Sequence, residues 1–101
     1  MENAIYGITA VRYSGPHMVA AMMGLIDSAH QCWDLLPSPA RVVEVIDRMV
    51  EGDRVISMFP DNAGGFAPGP EIKVGLLPEG TETLTLDEEE SGLSLQDLPR
   101  F

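Results

Sequence analysis

The sequence predicts an α+β domain: a small, mostly antiparallel sheet with one main helix against one face, in the order β-β-α-β-β-β. Three observations predict it. Segments 72–76 and 81–86 flank a Pro78-Glu79-Gly80 turn, and the first alternates apolar with non-apolar residues, the signature of a hairpin. Segment 39–51 carries a helix start, an apolar stripe and a helix stop in that order. Finally, 101 residues with 45% apolar and 22% charged side chains suit one globular domain, residues 1–101, with a core of its own. A chain of this length buries about two-thirds of its unfolded surface without needing a disulfide or a metal.

Segment 5–13 is the first strand, because Ile5, Tyr6, Ile8, Thr9, Val11 and Tyr13 are β-branched or aromatic. Ser14-Gly15-Pro16 then turns the chain. Segment 18–26 supports two readings. Met18, Met22, Leu25, Ala29, Trp33 and Leu36 make a helical stripe of good helix formers, which puts the helix slightly ahead on local grounds. A short apolar strand tied to the first by a turn, ending at Asp27-Ser28, is the other. In the next segment Ser38 stands as N-cap and Pro39 at the first helical position, where a missing N–H costs nothing. Val42, Val45, Ile46 and Met49 form one face, Glu44 and Arg48 are spaced to pair, and Gly52 stops the helix.

Segment 54–59 reads as an interior strand, with Val55, Ser57 and Phe59 on one face and Ile56 and Met58 on the other. Segment 60–70 reads as a loop, with three glycines and three prolines. The hairpin follows. Asp87, Glu88, Glu89 and Glu90 form an acidic run that predicts a solvated surface. The tail 91–101 carries Leu93, Leu95 and Leu98, which suit docking back onto the core.

The residues Ile8-Thr9-Ala10-Val11-Arg12, Met18-Val19, Ser38, Val42-Val43-Glu44-Val45-Ile46, Gly52-Asp53, Ile72-Lys73-Val74 and Leu95-Gln96-Asp97-Leu98-Pro99 span nearly the whole chain. In this arrangement the sequence resembles a family of small bacterial proteins of unknown function. The resemblance implies a strand at 18–26 and tips that segment from helix to strand. It brings no catalytic residues. The chain departs from the family in its Gly/Pro-rich loop and its four-acid run.

Six basic against sixteen acidic residues leave a net charge of −10. Phosphate contacts need clustered Lys and Arg, so direct binding to nucleic acid is not expected, nor is attraction to anionic membranes. The longest apolar run, 18–26, is far short of the ~20 residues of a spanning helix. With a single cysteine and no signal-type start, the expected location is cytoplasmic.

No nucleotide-binding, nucleophile-elbow or zinc-protease motif occurs. His17, His30 and Cys32 are too few for a tetrahedral site, so no metal or other cofactor is expected. The structural reading of Cys32 is an inert buried thiol. The binding candidates are Phe66 with Gly64 and Gly65 in the 60–70 loop, together with Trp33, whose structural alternative is a cap over the core. These observations predict a non-enzymatic module that binds a protein partner, with a homodimer through a sheet edge as one form of it. An acidic inhibitor that imitates nucleic acid, built on Asp87, Glu88, Glu89 and Glu90, is the alternative. A small-molecule binder or small enzyme with the 60–70 loop as lid is the third.

Overall fold

The computed structural model describes residues 4–27, 29–30, 32–86 and 94–101. Strands β1 (Ile5–Ser14) and β2 (His17–Asp27) form an antiparallel hairpin about Gly15, whose φ of 60° suits glycine. Segment 18–26 is thus strand, as the resemblance implied. Ala21 on β2 is fully buried, while Met22 and Ile26 partly cover the opposite face.

A strand absent from the expected order follows, β3 (Cys32–Arg41), paired antiparallel to β2. It takes Ser38 and Pro39 away from the helix, which begins only at Val42 (α1, Val42–Val50) with Arg41 at the N-cap and no side-chain cap. The reason is steric and tertiary. A residue before proline is pushed to extended backbone, so Leu36-Pro37 and Ser38-Pro39 both favour strand. Ala40 then packs opposite Ala21 in the core. Because β3 is an edge strand, its prolines cost no ladder bond on the open side and blunt that edge.

The helix stop is where the sequence puts it. Gly52 takes φ 99°, its N–H bonds the Met49 carbonyl, and the Asp53 N–H bonds the Arg48 carbonyl. Gly52→Ala places a side chain in left-handed backbone and should cost about 1 kcal/mol. A thermal melt checks this, with an expected loss of roughly 4–8 °C.

Strand β4 (Arg54–Pro60) returns beside β1 in parallel, β5 (Phe66–Leu76) pairs with β4, and β6 (Glu82–Leu86) pairs with β5. The result is a six-stranded mixed sheet, β3-β2-β1-β4-β5-β6, with α1 against one face: an α+β fold. The expected loop 60–70 shrinks to residues 61–65, because Phe66 to Pro70 belong to β5. The acidic run Asp87, Glu88, Glu89 and Glu90 lies outside the described residues.

The core lies between the sheet and α1. Ile8, Val11, Val45, Val55 and Ile72 are at most 1% exposed, and the buried Ser57 hydroxyl donates to the Pro70 carbonyl at 2.8 Å. Beyond Ile8, β4 no longer pairs with β1. The C-terminal segment takes its place: the Val11 N–H bonds the Pro99 carbonyl, and the Phe101 N–H bonds the Val11 carbonyl. Leu95 and Leu98 are buried there, so residues 94–101 dock onto the core as expected of the tail, while Leu93 lies outside the described residues.

Candidate functional site

The face of the sheet away from α1 is where the predicted binding residues meet. Gly7 on β1 and Gly24 on β2 sit opposite each other in register. Having no side chains, they leave a trough. Trp33, on β3 and in register with Ile26, lays its indole across it. A Cβ added at Gly24 would lie 2.8 Å from both Cε3 and Cζ3 of the indole, and one at Gly7 would lie 3.0 Å from Cη2. The same Gly7 position would meet Met58 Cγ at 2.8 Å and Ile26 Cδ1 at 2.9 Å, so Trp33, Ile26 and Met58 converge above one glycine. Trp33 therefore covers the helix-free face, and the expectation that it caps the core is corrected. The cause is β3 itself, which the sequence reading did not contain.

The β4–β5 turn supplies the opposite wall. Asp61 Oδ1 accepts bonds from the Ala63 and Gly65 N–H groups at 2.9 Å each, and the Asp61 N–H reaches back to the Gly65 carbonyl. Gly64, at φ 85°, closes the turn, and nothing lies within 4 Å of where its Cβ would be. This tight turn delivers Phe66, 41% exposed, to the start of β5 opposite Pro60.

Between these walls lies an open depression of about 190 Å³ lined by Ile26, Cys32, Trp33, Gly65 and Phe66. Of the four predicted binding residues, Phe66, Gly65 and Trp33 come together here, whereas Gly64 shapes the turn without lining it. Ile26 and Cys32 were not singled out as lining residues. Ile26 was visible only as part of an apolar run, and Cys32 only as a buried thiol. That last expectation is also corrected: the Cys32 residue is exposed, because it begins an edge strand.

The two histidines are occupied separately. His17 Nε2 contacts Glu79 Oε1 at 2.5 Å, joining the β1–β2 and β5–β6 turns, and this bond holds the Glu79 carboxyl below its usual range. His30 Nδ1 contacts Asp27 Oδ2 at 2.7 Å. Among the described residues, no group of three or more His, Cys, Asp or Glu side chains is placed to hold a metal ion.

All six Lys and Arg side chains of the chain are engaged within the fold. Arg41 pairs with Glu44, Arg48 with Glu51, and both Arg54 and Lys73 with Glu71. The Arg54 hydrogen bond, with Lys73 nearby, holds the Glu71 carboxyl below its usual range against the opposing effect of burial. Arg12 lies over the Phe101 ring, and Arg100 over Tyr13 while donating to the Gln96 and Leu98 carbonyls.

A larger depression, of about 450 Å³, is bordered by Leu86 and Ser94, between which residues 87–93 lie outside the described residues. Among the described residues no helix is long and apolar enough to cross a membrane. No family model, curated protein or solved structure matches the chain.

Proposed function

We propose that this domain is a non-enzymatic protein-interaction module that receives an apolar side chain of a protein partner in the Trp33–Phe66 depression. The observation that carries the reading is the convergence of two aromatic residues, distant in sequence, on the sheet face that α1 leaves open. Tryptophan and other large aromatics at the centre of a depression are the residues that concentrate binding energy at protein interfaces. The depression, about 190 Å³, is smaller than the roughly 300–1,000 Å³ of ordinary small-molecule pockets and suits a side chain better than a metabolite. Six Lys and Arg against sixteen acids, a net charge of −10, supply no clustered cations for phosphate contacts and so weigh against direct binding to nucleic acid.

Trp33 is the only tryptophan, so its fluorescence reports on this site alone. Peptides selected from a random display library on the immobilised protein should shift or quench that emission. Phe66→Ala should weaken them by about tenfold or more while changing stability by only about 1 kcal/mol. Unchanged affinity in Phe66→Ala would remove the depression from the account.

A further inference from the structure

Three side chains meet above Gly7, and one of them carries an atom that a mild oxidant converts. The benzo ring of Trp33 spans the trough, with Cε3 and Cζ3 over Gly24 and Cη2 over Gly7. Met58 Cγ and Ile26 Cδ1 stand over the same glycine, 2.8 and 2.9 Å from where its Cβ would be, against 3.0 Å for Cη2. The edge of the indole at Cη2 thus shares its place with Met58 and Ile26. On β4, Met58 follows the fully buried Ser57, so strand alternation turns it to the helix-free face, where it is half-buried. It does not itself line the depression.

A thioether beside the edge of an aromatic ring makes a favourable contact. Its sulfoxide is no equivalent, because the added oxygen is a polar acceptor that is costly to keep from water. The other methionines among the described residues are placed differently. Met18 is buried in the core, and Met23 and Met49 pack against it. Met22 is half-buried on β2, and none of the atoms nearest the Cβ positions of Gly7 and Gly24 belongs to it.

We propose that Met58 is an oxidation site that controls the seat of Trp33: a peroxide converts it to the sulfoxide, and the indole leaves the trough. The O–O bond of hydrogen peroxide breaks, one oxygen joins the sulfur, and the other leaves as water with both protons. The sulfur loses two electrons and the peroxide gains them. The new oxygen turns toward water, and the side chain no longer backs the ring edge. Because Trp33 is one wall of the depression, partner binding weakens as well. Methionine sulfoxide reductases reverse the change. The effect on binding rests on the interaction reading above, whereas the effect on Trp33 does not.

The test treats the full chain with hydrogen peroxide, removes the peroxide and adds dithiothreitol. The thiol returns a disulfide or sulfenic acid at the exposed Cys32 to the free cysteine and leaves sulfoxides in place. Peptide mapping by mass spectrometry follows each methionine while Trp33 emission is read. The emission should shift to the red, and acrylamide quenching should rise, in step with sulfoxide at Met58. Affinity for the library-selected peptides should fall by up to about tenfold, the scale of one sulfur–ring contact. Met58→Leu conserves volume and should hold its emission through the same treatment, whereas Met22→Leu should respond as the unaltered chain does. A methionine sulfoxide reductase should restore the emission.

Native emission with Met58 fully oxidised, an equal shift in Met58→Leu, or a Met58 that resists the oxidant while Met22 is converted would each overturn the inference. The time course in the unaltered chain decides the matter even where Met58→Leu fails to fold. If the emission follows Met58 but peptide affinity stays the same, the oxidation site stands and the interaction reading fails.

Discussion

Replacing Gly24 with alanine should drive Trp33 off the sheet. The added Cβ would lie 2.8 Å from the Leu35 carbonyl oxygen and 2.8 Å from two atoms of the indole. Neither neighbour yields cheaply. The oxygen belongs to the β3 backbone and moves only if β2 and β3 part, and the indole is a rigid plate. Overpacking of this kind costs about 1–3 kcal/mol. Gly7→Ala should be milder, because two of its three close neighbours, Met58 Cγ and Ile26 Cδ1, belong to flexible side chains. The measurement is Trp33 emission in the native baseline with acrylamide quenching. Gly24→Ala should shift the emission to the red and raise quenching, with a lower melting temperature, and Gly7→Ala should show less of each. Native emission in Gly24→Ala would mean that the indole does not lie in the glycine trough. Because Trp33 is one wall of the depression, the same variant should also lose peptide binding.

This arrangement marks the boundary of what the sequence disclosed. Strands β1, β4 and β6 and the second half of β5 were legible because β-branched, aromatic and alternating residues are a local signal. The stop of α1 was legible because only a residue at ease with positive φ fits there, and Gly52 stands at that position. The start was not, since Ser38-Pro39 fits an N-cap pair and an extended dipeptide equally well. The pairing of Ala40 with Ala21 decided between them, and that pairing is tertiary.

Strand β3 was hidden for a related reason. Its two prolines and its run Leu35-Leu36 break the alternation, and register shifts between Met23 and Leu25 and between Leu25 and Ile26 accommodate the break. The 60–70 segment looked like loop because Pro68, Gly69 and Pro70 are poor strand formers. Among the described residues β6 pairs with Ile72 to Leu76, and Pro68 to Pro70 are not in that ladder, so their missing or poor donors break no described β5–β6 bond. Gly69 has a further reason: a Cβ there would meet the Ser57 hydroxyl at 2.5 Å. Phe66 and Trp33 were each legible as candidates by residue type. Their meeting was not, because it depends on β3, on bulged registers and on the sheet order that brings β3 and the β4–β5 turn to one face.

Leu98→Ala should be the most destabilising single truncation in the C-terminal segment, and it should act on the other side of the sheet. Leu98 is 2% exposed and belongs to the same buried cluster as Ile8, Val11 and Leu84. It is held there by two backbone bonds between Val11 and the tail, and by the Ser94–Asp97 capping box that shapes the preceding turn. Removing a buried leucine side chain costs about 2–5 kcal/mol through lost burial and the cavity left behind. That is a large part of the roughly 5–15 kcal/mol that holds a domain of this size together. The melting temperature should fall by at least about 10 °C. The native-baseline emission of Trp33 should not move, because the sheet separates the indole from this cluster. Gly24→Ala and Leu98→Ala share no contact, so their effects on stability should add to within about 0.5 kcal/mol in the double variant. A red shift of Trp33 in folded Leu98→Ala would contradict that separation. It would mean that docking of the tail sets the shape of the opposite face, and that the depression is formed only while Leu98 holds its place.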